Sequence, residues 1–286
     1  MPQLTSADGL TLYYEVDPAR SAWAVAVIVH GFGDHCGRYE SFAAELKSWG
    51  VTCYRFDYRG HGRSEGKRGH VERFERFLDD LDVVAQLAAE DSPQLPHFLL
   101  AHSHGGLIAL HSLARSAPGP CSWTAAALSS PFFGIAHPVP AWKRVLGKGL
   151  SKLLPSFQMP TEISGESVSH DPEVVKGYDS DKLVGHVASA RWFTEVLRAQ
   201  AEAPALARAV SLPLQIQASG DDLLVSLDAT RVIYEQLQSE PKDLLVYDEL
   251  YHELWFERQE DRALVLQDLR RFLDRWKPSS AEPERS

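Results

Sequence analysis

The chain has 286 residues, 44% of them hydrophobic, which is enough for one large domain or two small ones with a sizeable core. A formal net charge of −10 argues against a nucleic-acid partner, because phosphate groups repel an acidic surface. Three scattered cysteines, Cys36, Cys53 and Cys121, argue against a disulfide framework or a thiolate metal site and favour a reducing, cytoplasmic compartment.

The N-terminal segment "MPQLTSADGL" has neither the basic nor the apolar region of a secretion signal. No later stretch is apolar over the length of a membrane span, so we expect neither a signal peptide nor a transmembrane helix. Apolar residues alternate on both sides of Asp8-Gly9, and this pattern predicts a β-hairpin.

Six later runs have the apolar character of buried strands, and segments with helical spacing separate most of them. They are "AVAVIVH", "VTCYRFDY", "HFLLAHS", "AAALSSP", "LPLQIQASG" and "DLLVYDE". Alternating strands and helices, with strands apolar on both faces, predict an α/β fold in which helices cover both faces of a mostly parallel sheet. We expect residues 1–134 and 207–276 to form this core.

Polar residues follow each predicted strand, at the edge where parallel sheets carry their chemistry. These positions are His30 to His35, Asp57 to Ser64, Ser103, Ser129-Ser130, Gly220 to Asp222, and Tyr251 to Glu253.

The segment "FLLAHSHGGLIAL", Phe98 to Leu110, predicts a buried strand that turns sharply into a helix with Ser103 at the corner. This is the layout of a nucleophile elbow, G-x-S-x-G, with Ala101 in place of the first glycine. A five-residue pattern is weak by itself, since many matches are ordinary loop serines. The interpretation therefore depends on a base and an acid elsewhere in the chain.

The alternation of strands and helices stops between residues 135 and 206, where helical patterns predict a lid over the strand ends. In "AWKRVLGKGLSKLL", Ala141 to Leu154, apolar residues fall on one side of the helix and cationic residues on the other. This apolar side either packs on the core and covers an acyl tunnel or lies on an anionic membrane, and the sequence leaves both open.

A serine nucleophile needs a base to accept its proton and an acid to orient that base. In sheets of this type the acid and then the base follow the serine along the chain. Asp221 and Asp222 follow the penultimate strand, and His252 follows the last. The three positions together predict a serine hydrolase, in which His102 and His104 flank the serine without acting as its base.

The tetrahedral intermediate of such a hydrolase needs two backbone N–H donors. We expect one at His104, directly after the serine, and the other at Phe32 in "HGFGDH", where glycines permit close approach of the backbone. No recognised ligand spacing supports a metal site, so we expect no metal and no other cofactor.

Six segments together resemble the α/β-hydrolase family of monoacylglycerol lipases and lysophospholipases, also called serine aminopeptidase S33. They are "HGFGDHCGRYE", "FDYRGHGRSEGKRGH", "AHSHGG", "SHDPEVVKGYDSDKLV", "SGDDLLVS" and "YHELWFE". The resemblance implies that Asp222 is the acid, through G-x-D-x-x-V, and that His252 is the base. It implies that Asp34 and Arg38 lie near a glycerol head group. The chain departs from the family pattern in having Asp34 instead of Glu.

The family resemblance implies hydrolysis of single-chain lipid esters, monoacylglycerol or lysophospholipid, through an acyl-serine intermediate. A small-molecule carboxylesterase, an aminopeptidase and a non-catalytic binding protein with this fold are the alternatives. The expected partners are the lipid ester and, through the lid, a peripheral membrane contact, while the oligomeric state stays open. The tail, residues 277–286, is rich in proline and charge and is expected to be disordered.

Overall fold

The computed structural model of the protein describes residues 2–115, 119–137 and 141–278. The strands in these ranges are β1 Gln3–Thr5, β2 Thr11–Asp17, β3 Ala24–Val29, β4 Val51–Phe56, β5 His97–His102, β6 Ala125–Ser129, β7 Gln158–Pro160, β8 Val187–Ser189, β9 Leu214–Ser219 and β10 Lys242–Tyr247. The α-helices are α1 Glu40–Ser48, α2 Glu75–Asp91, α3 His104–Leu113, α4 Ala141–Leu153, α5 Pro172–Ser180, α6 Ala190–Ala207, α7 Leu227–Gln236 and α8 Gln259–Leu273.

Eight strands form one sheet in the order β1-β2-β4-β3-β5-β6-β9-β10. The pairs from β4 to β10 are parallel, whereas β2 pairs antiparallel with both β1 and β4. The prediction of a mostly parallel sheet is therefore confirmed, and so is the N-terminal hairpin. Because the parallel strands all end at the same edge, the loops that follow β3, β5, β9 and β10 converge there.

The central strand β3 separates two hydrophobic cores. Val25, Val27 and Val29 face the first core, which includes side chains of α2, α3 and α6. Ala24, Ala26 and Ile28 face the second core, which includes side chains of α1 and α8. The period-2 alternation of a fully buried strand thus buries apolar side chains on both faces, as helices on both faces require.

The chain between β6 and β9 contains α4, α5, α6 and a small antiparallel pair of strands, β7 and β8. The sequence pattern predicted helices at α4 and α6 but gave no sign of the two three-residue strands, which are too short to show a period. His111 on α3 and Ala199 on α6 are joined by a hydrogen bond of 3.0 Å from Nε2 to the carbonyl oxygen. This bond ties the segment to the sheet-covering layer.

Within the described part of the chain, no helix combines the length and the apolar character that crossing a bilayer requires. The predicted disorder of the tail concerns residues 277–286, of which 279–286 lie outside the described residues.

The start of α3 lies directly against the end of β3. A Cβ atom added at Gly105 would stand 2.4 Å from the carbonyl oxygen of Val29 and 2.6 Å from that of His30. Both contacts are with backbone, which cannot move aside without disturbing the sheet. A residue without a side chain is therefore required for the helix to begin beside the strand.

We predict that Gly105→Ala lowers the free energy of unfolding by about 1–3 kcal/mol, because the added methyl group overpacks a site bounded by backbone. Gly177→Ala is the matched control, since Gly177 is also helical and a methyl group added there would meet no heavy atom within 4 Å. The control should be neutral or stabilising by up to about 1 kcal/mol, because alanine favours helix. Urea unfolding of both variants measures the difference, and equal effects would contradict the packing argument.

Candidate active site

Ser103 occupies the one-residue turn between β5 and α3, with φ of 52° and ψ of −117°. Non-glycine residues rarely adopt this positive φ, and it persists only where surrounding contacts enforce it. Two backbone hydrogen bonds do so here: the Ser103 N–H donates to the Ser129 carbonyl, and the Phe132 N–H donates to the Ser103 carbonyl, each at 2.9 Å. The N–H of His104 belongs to the first turn of α3, whose amides have no acceptor within the helix.

His252 and Asp222 are in direct contact although they follow different strands. His252 Nδ1 lies 2.7 Å from Asp222 Oδ2, and both side chains are buried. The other oxygen, Asp222 Oδ1, accepts the N–H groups of Leu224 and Val225 at 2.8 and 2.9 Å. Asp221 is exposed to solvent. The structure thus brings the second aspartate of the pair to the histidine and fixes it in its own loop.

The pKa of His252 lies above its ordinary value. Burial alone would lower it, but the charge and hydrogen bond of Asp222 outweigh burial, and the charges of Glu253 and Asp34 add to the effect. An imidazole in this setting is a stronger base, and its protonated form is stabilised by the neighbouring carboxylates.

Three other histidines near Ser103 are held neutral. Burial lowers the pKa of His30, and burial followed by the charge of His30 lowers the pKa of His104 to about 3. Burial, followed by the charge of His252, lowers the pKa of His102 well below its ordinary value. Each uses Nδ1 in a fixed hydrogen bond or close contact, for example His104 with the Tyr58 hydroxyl at 3.1 Å. These rings pack the turn, whereas His252 has a carboxylate partner.

The loop after β3 carries Phe32 and is held from both sides. The Tyr58 hydroxyl donates to the Gly31 carbonyl at 2.8 Å, and the Gly185 N–H donates to the Gly33 carbonyl at 2.6 Å. Gly33 has φ of +74°, and a Cβ atom there would stand 2.4 Å from the Gly185 carbonyl oxygen. The Phe32 ring packs 3.8 Å from the Trp192 ring, centroid to centroid. The backbone at Phe32 is therefore fixed relative to the turn at Ser103.

Asp34, Arg38 and Glu253 form a buried charged group next to His252. Arg38 donates to both carboxylate oxygens of Glu253 at 2.7 Å and to Asp34 Oδ1 at 3.2 Å. Opposing burial, the charges of Glu253 and Asp34 raise the pKa of Arg38 well above its ordinary value. Sequence reasoning placed Glu253 among the polar residues at the strand ends but gave it no role. A glutamate in a loop is usually a solvated surface residue, and its partner Arg38 is distant in the chain.

A cavity of about 880 Å³ lies between the strand ends and the segment from β6 to β9. Its polar end contains Ser103, Asp34, His102, His252 and Glu253. The remaining wall is mostly apolar and includes Phe132, Ile135, Trp142, Leu146, Leu150, Met159, Ile163, Val168, Trp192, Phe193, Leu223 and Leu224. A mostly apolar molecule with a polar group near Ser103 matches this lining.

The described residues contain no group of three or more His, Cys, Asp or Glu side chains placed to hold a metal ion.

Comparison with known families matches residues 20–259 to the family described as serine aminopeptidase, S33. This match confirms the resemblance that the six sequence segments carried. A monoacylglycerol lipase from Mycolicibacterium smegmatis is 33% identical over 263 residues, which are 91% of this chain and 92% of that protein. A monoglyceride lipase from Rattus norvegicus is 31% identical over 94% of this chain and 88% of its own length.

Solved structures share the same fold. A soluble variant of a monoglyceride lipase from Saccharomyces cerevisiae, solved in complex with a substrate analog, superimposes with a TM-score of 0.88. The alignment covers 98% of this chain and 95% of that one, at 18% sequence identity.

We predict that Asp222→Asn lowers the pKa of His252, because it removes the negative charge that stabilises the imidazolium. Asp221→Asn, at the exposed neighbouring position, should leave this pKa within experimental error. Titration of the His252 ring resonances by NMR, assigned with His252→Gln, measures both variants. A larger shift in the Asp221 variant would show that the other aspartate is the partner in solution.

Proposed function

The chain belongs to the serine aminopeptidase S33 family, and on that premise we propose that it hydrolyses carboxylic esters of single-chain lipids, monoacylglycerol or lysophospholipid. Ser103, His252 and Asp222 are its catalytic residues, and the reaction passes through an acyl-serine intermediate. The observation that supports this proposal most directly is the contact of 2.7 Å between His252 Nδ1 and Asp222 Oδ2. His252 and Ser103 both line the same mostly apolar cavity.

Each step of the reaction uses a feature of this site. Ser103 Oγ attacks the ester carbonyl while its proton passes to Nε2 of His252, and Asp222 stabilises the imidazolium at Nδ1. The N–H groups of Phe32 and His104 stabilise the oxyanion. The imidazolium then protonates the leaving alcohol. In the second half, His252 accepts a proton from a water molecule that attacks the acyl-serine, and it returns this proton to Ser103 Oγ as the bond to the acyl group breaks and the fatty acid leaves.

The volume and the mostly apolar lining of the cavity support a lipid substrate. The acyl chain lies along the apolar wall, where burying each methylene contributes about 0.8 kcal/mol. Asp34 lines the part of the cavity that receives the head group, and Arg38, outside this lining, contacts the same part through Asp34 and Glu253. Asp34 lines the cavity together with Ser103 and His252, so its carboxylate can accept a hydrogen bond from a hydroxyl group of the substrate.

We predict that a fluorophosphonate probe labels the protein at Ser103, because only a serine activated by a base and an oxyanion site reacts readily with it. Ser103→Ala should abolish both labelling and monoacylglycerol hydrolysis while thermal unfolding stays close to that of the parent. Ser130→Ala is a control at the other buried serine with a positive φ on the same sheet edge. Labelling or turnover that survives Ser103→Ala would refute the assignment.

We propose further that residues 135–206 are a lid and that α4 brings the cavity to a membrane surface. The residues of α4 have three different environments in the structure, instead of forming one apolar side with one role. Ser151 is hydrogen-bonded to Thr194 of α6 at 2.8 Å, and a Cβ atom added at Gly147 would stand 3.4 Å from the Phe193 ring of α6. Leu146 and Leu150 line the cavity. Val145 and Leu153 are 71% and 81% exposed, although both are apolar.

Four exposed apolar side chains also belong to the lining of the cavity, which locates them where the cavity meets solvent: Trp142, Leu146, Met159 and Leu223. Lys148 and Lys152 are exposed on the same helix and suit an anionic lipid surface. A substrate delivered from a bilayer would enter the cavity at this point without crossing water.

We predict that Val145→Asp with Leu153→Asp weakens sedimentation with anionic vesicles by about tenfold or more, because two side chains lose the free energy of burial in lipid. Turnover of a short soluble ester should stay near that of the parent, since neither residue lines the cavity. Val232→Asp with Leu264→Asp is the matched control, because these residues are exposed on α7 and α8. Absence of vesicle binding in the parent protein would refute the membrane proposal.

A further inference from the structure

A buried charged group joins the two loops on which the proposed reaction depends. We call Asp34, Arg38 and Glu253 the arginine clamp. Arg38 and Glu253 are 215 positions apart in the chain, yet their side chains meet through two parallel hydrogen bonds of 2.7 Å. The Arg38 side chain is only 11% exposed, and those of Glu253 and Asp34 are each 3% exposed.

The residues of the clamp are close in sequence to the groups proposed to take part in the reaction. Asp34 lies in the loop of Phe32, the proposed oxyanion donor, and Arg38 lies in the single 3₁₀ turn that follows this loop. Glu253 directly follows His252, the proposed base. The clamp therefore spans from the loop that binds the oxyanion to the loop that carries the base.

Several contacts hold the clamp in one geometry. The Arg38 guanidinium lies 4.9 Å from the centre of the Tyr178 ring. The Glu253 N–H donates to the Val168 carbonyl at 2.7 Å, and the His35 N–H donates to Asp34 Oδ1 at 2.8 Å. Bidentate pairing of a planar guanidinium with a carboxylate fixes both distance and orientation, which a single hydrogen bond does not.

We propose that Arg38 and Glu253 are positioning residues for ester hydrolysis, holding the imidazole of His252 at a fixed distance from the oxyanion donors. This inference rests on the proposed function, because it assigns a role within the same reaction. Proximity of reacting groups is worth several orders of magnitude in rate, and a displacement of about 1 Å costs up to about 100-fold. A buried ion pair is a poor source of stability, so its burial here calls for another explanation.

The clamp also acts on His252 through charge. The charged and titratable groups that act on this imidazole are Asp222, His102, Glu253, Asp34 and, through the clamp, Arg38. Two carboxylates and one guanidinium leave the clamp with a formal charge of −1, which favours the imidazolium that forms when Ser103 loses its proton. The raised pKa of His252 agrees with this sign.

Two conservative variants separate geometry from charge. Arg38→Lys keeps the charge but replaces the planar fork with a single ammonium group. We expect it to lower kcat for a short soluble ester by about tenfold or more, with KM nearly unchanged and the acid limb of the pH profile in place. Glu253→Gln keeps the size but removes a negative charge, so the pKa of His252 falls. We expect the acid limb of kcat/KM to move to lower pH by about half a unit or more.

Matched controls come from a second buried pair that lies outside the cavity lining. Arg59 donates from Nε and Nη2 to Asp80 at 2.8 and 2.7 Å, and Asp80 is fully buried. Arg59→Lys and Asp80→Asn make the same chemical changes there. They are expected to lower the unfolding temperature, as the clamp variants do, while kcat per folded molecule and the acid limb remain those of the parent.

The proposal is overturned if Arg38→Lys retains the parental kcat or if the acid limb of Glu253→Gln coincides with that of the parent. It is also overturned if the control variants reproduce the losses of the clamp variants, since the effect would then be one of stability. Failure of the proposed function itself has a different signature: the parent protein would show no Ser103-dependent turnover, whatever the clamp variants do.

Discussion

The site depends on the sharp turn at Ser103, where a strand becomes a helix within one residue. The turn requires a positive φ at a non-glycine residue and a helix start that almost touches the neighbouring strand at Gly105. Hydrogen bonds from flanking strand ends hold this geometry, so the rigidity of the sheet is transmitted to one hydroxyl group. The other residues of the site are therefore arranged around a serine whose position the backbone determines.

Electrostatics give neighbouring histidines different properties. His30, His102 and His104 contact backbone carbonyl or hydroxyl oxygens through Nδ1, and burial outweighs the nearby charges and favours their uncharged forms. His252 is equally buried but faces Asp222, and the pKa moves in the opposite direction. The same residue type is therefore neutral at three buried positions, whereas at His252 the neighbouring carboxylate makes the imidazole a stronger base.

Much of this arrangement was accessible from the sequence because it follows from strand order. Ser103, Asp222 and His252 each come after a strand of a parallel sheet, and such strands end at a common edge. Glu253 could not be recognised in this way, since its partner Arg38 lies 215 positions away and no local pattern encodes a pairing at that distance. The sequence also could not predict which residues of α4 pack on α6, which line the cavity and which are exposed. Helical periodicity identifies the apolar side of a helix but not what each side chain on it contacts.

The contact between Gly33 and Gly185 has a mechanical consequence. The oxyanion loop and the segment before β8 meet backbone to backbone, with one hydrogen bond of 2.6 Å and no side chain between them. The hydrogen bond between His35 and Asp181, at 2.8 Å, lies beside this contact. Residues 181–187 therefore cannot swing away from the core without either breaking these bonds or dragging the amide-bearing loop along. The backbone contact therefore couples the position of the Phe32 amide to that of residues 181–187.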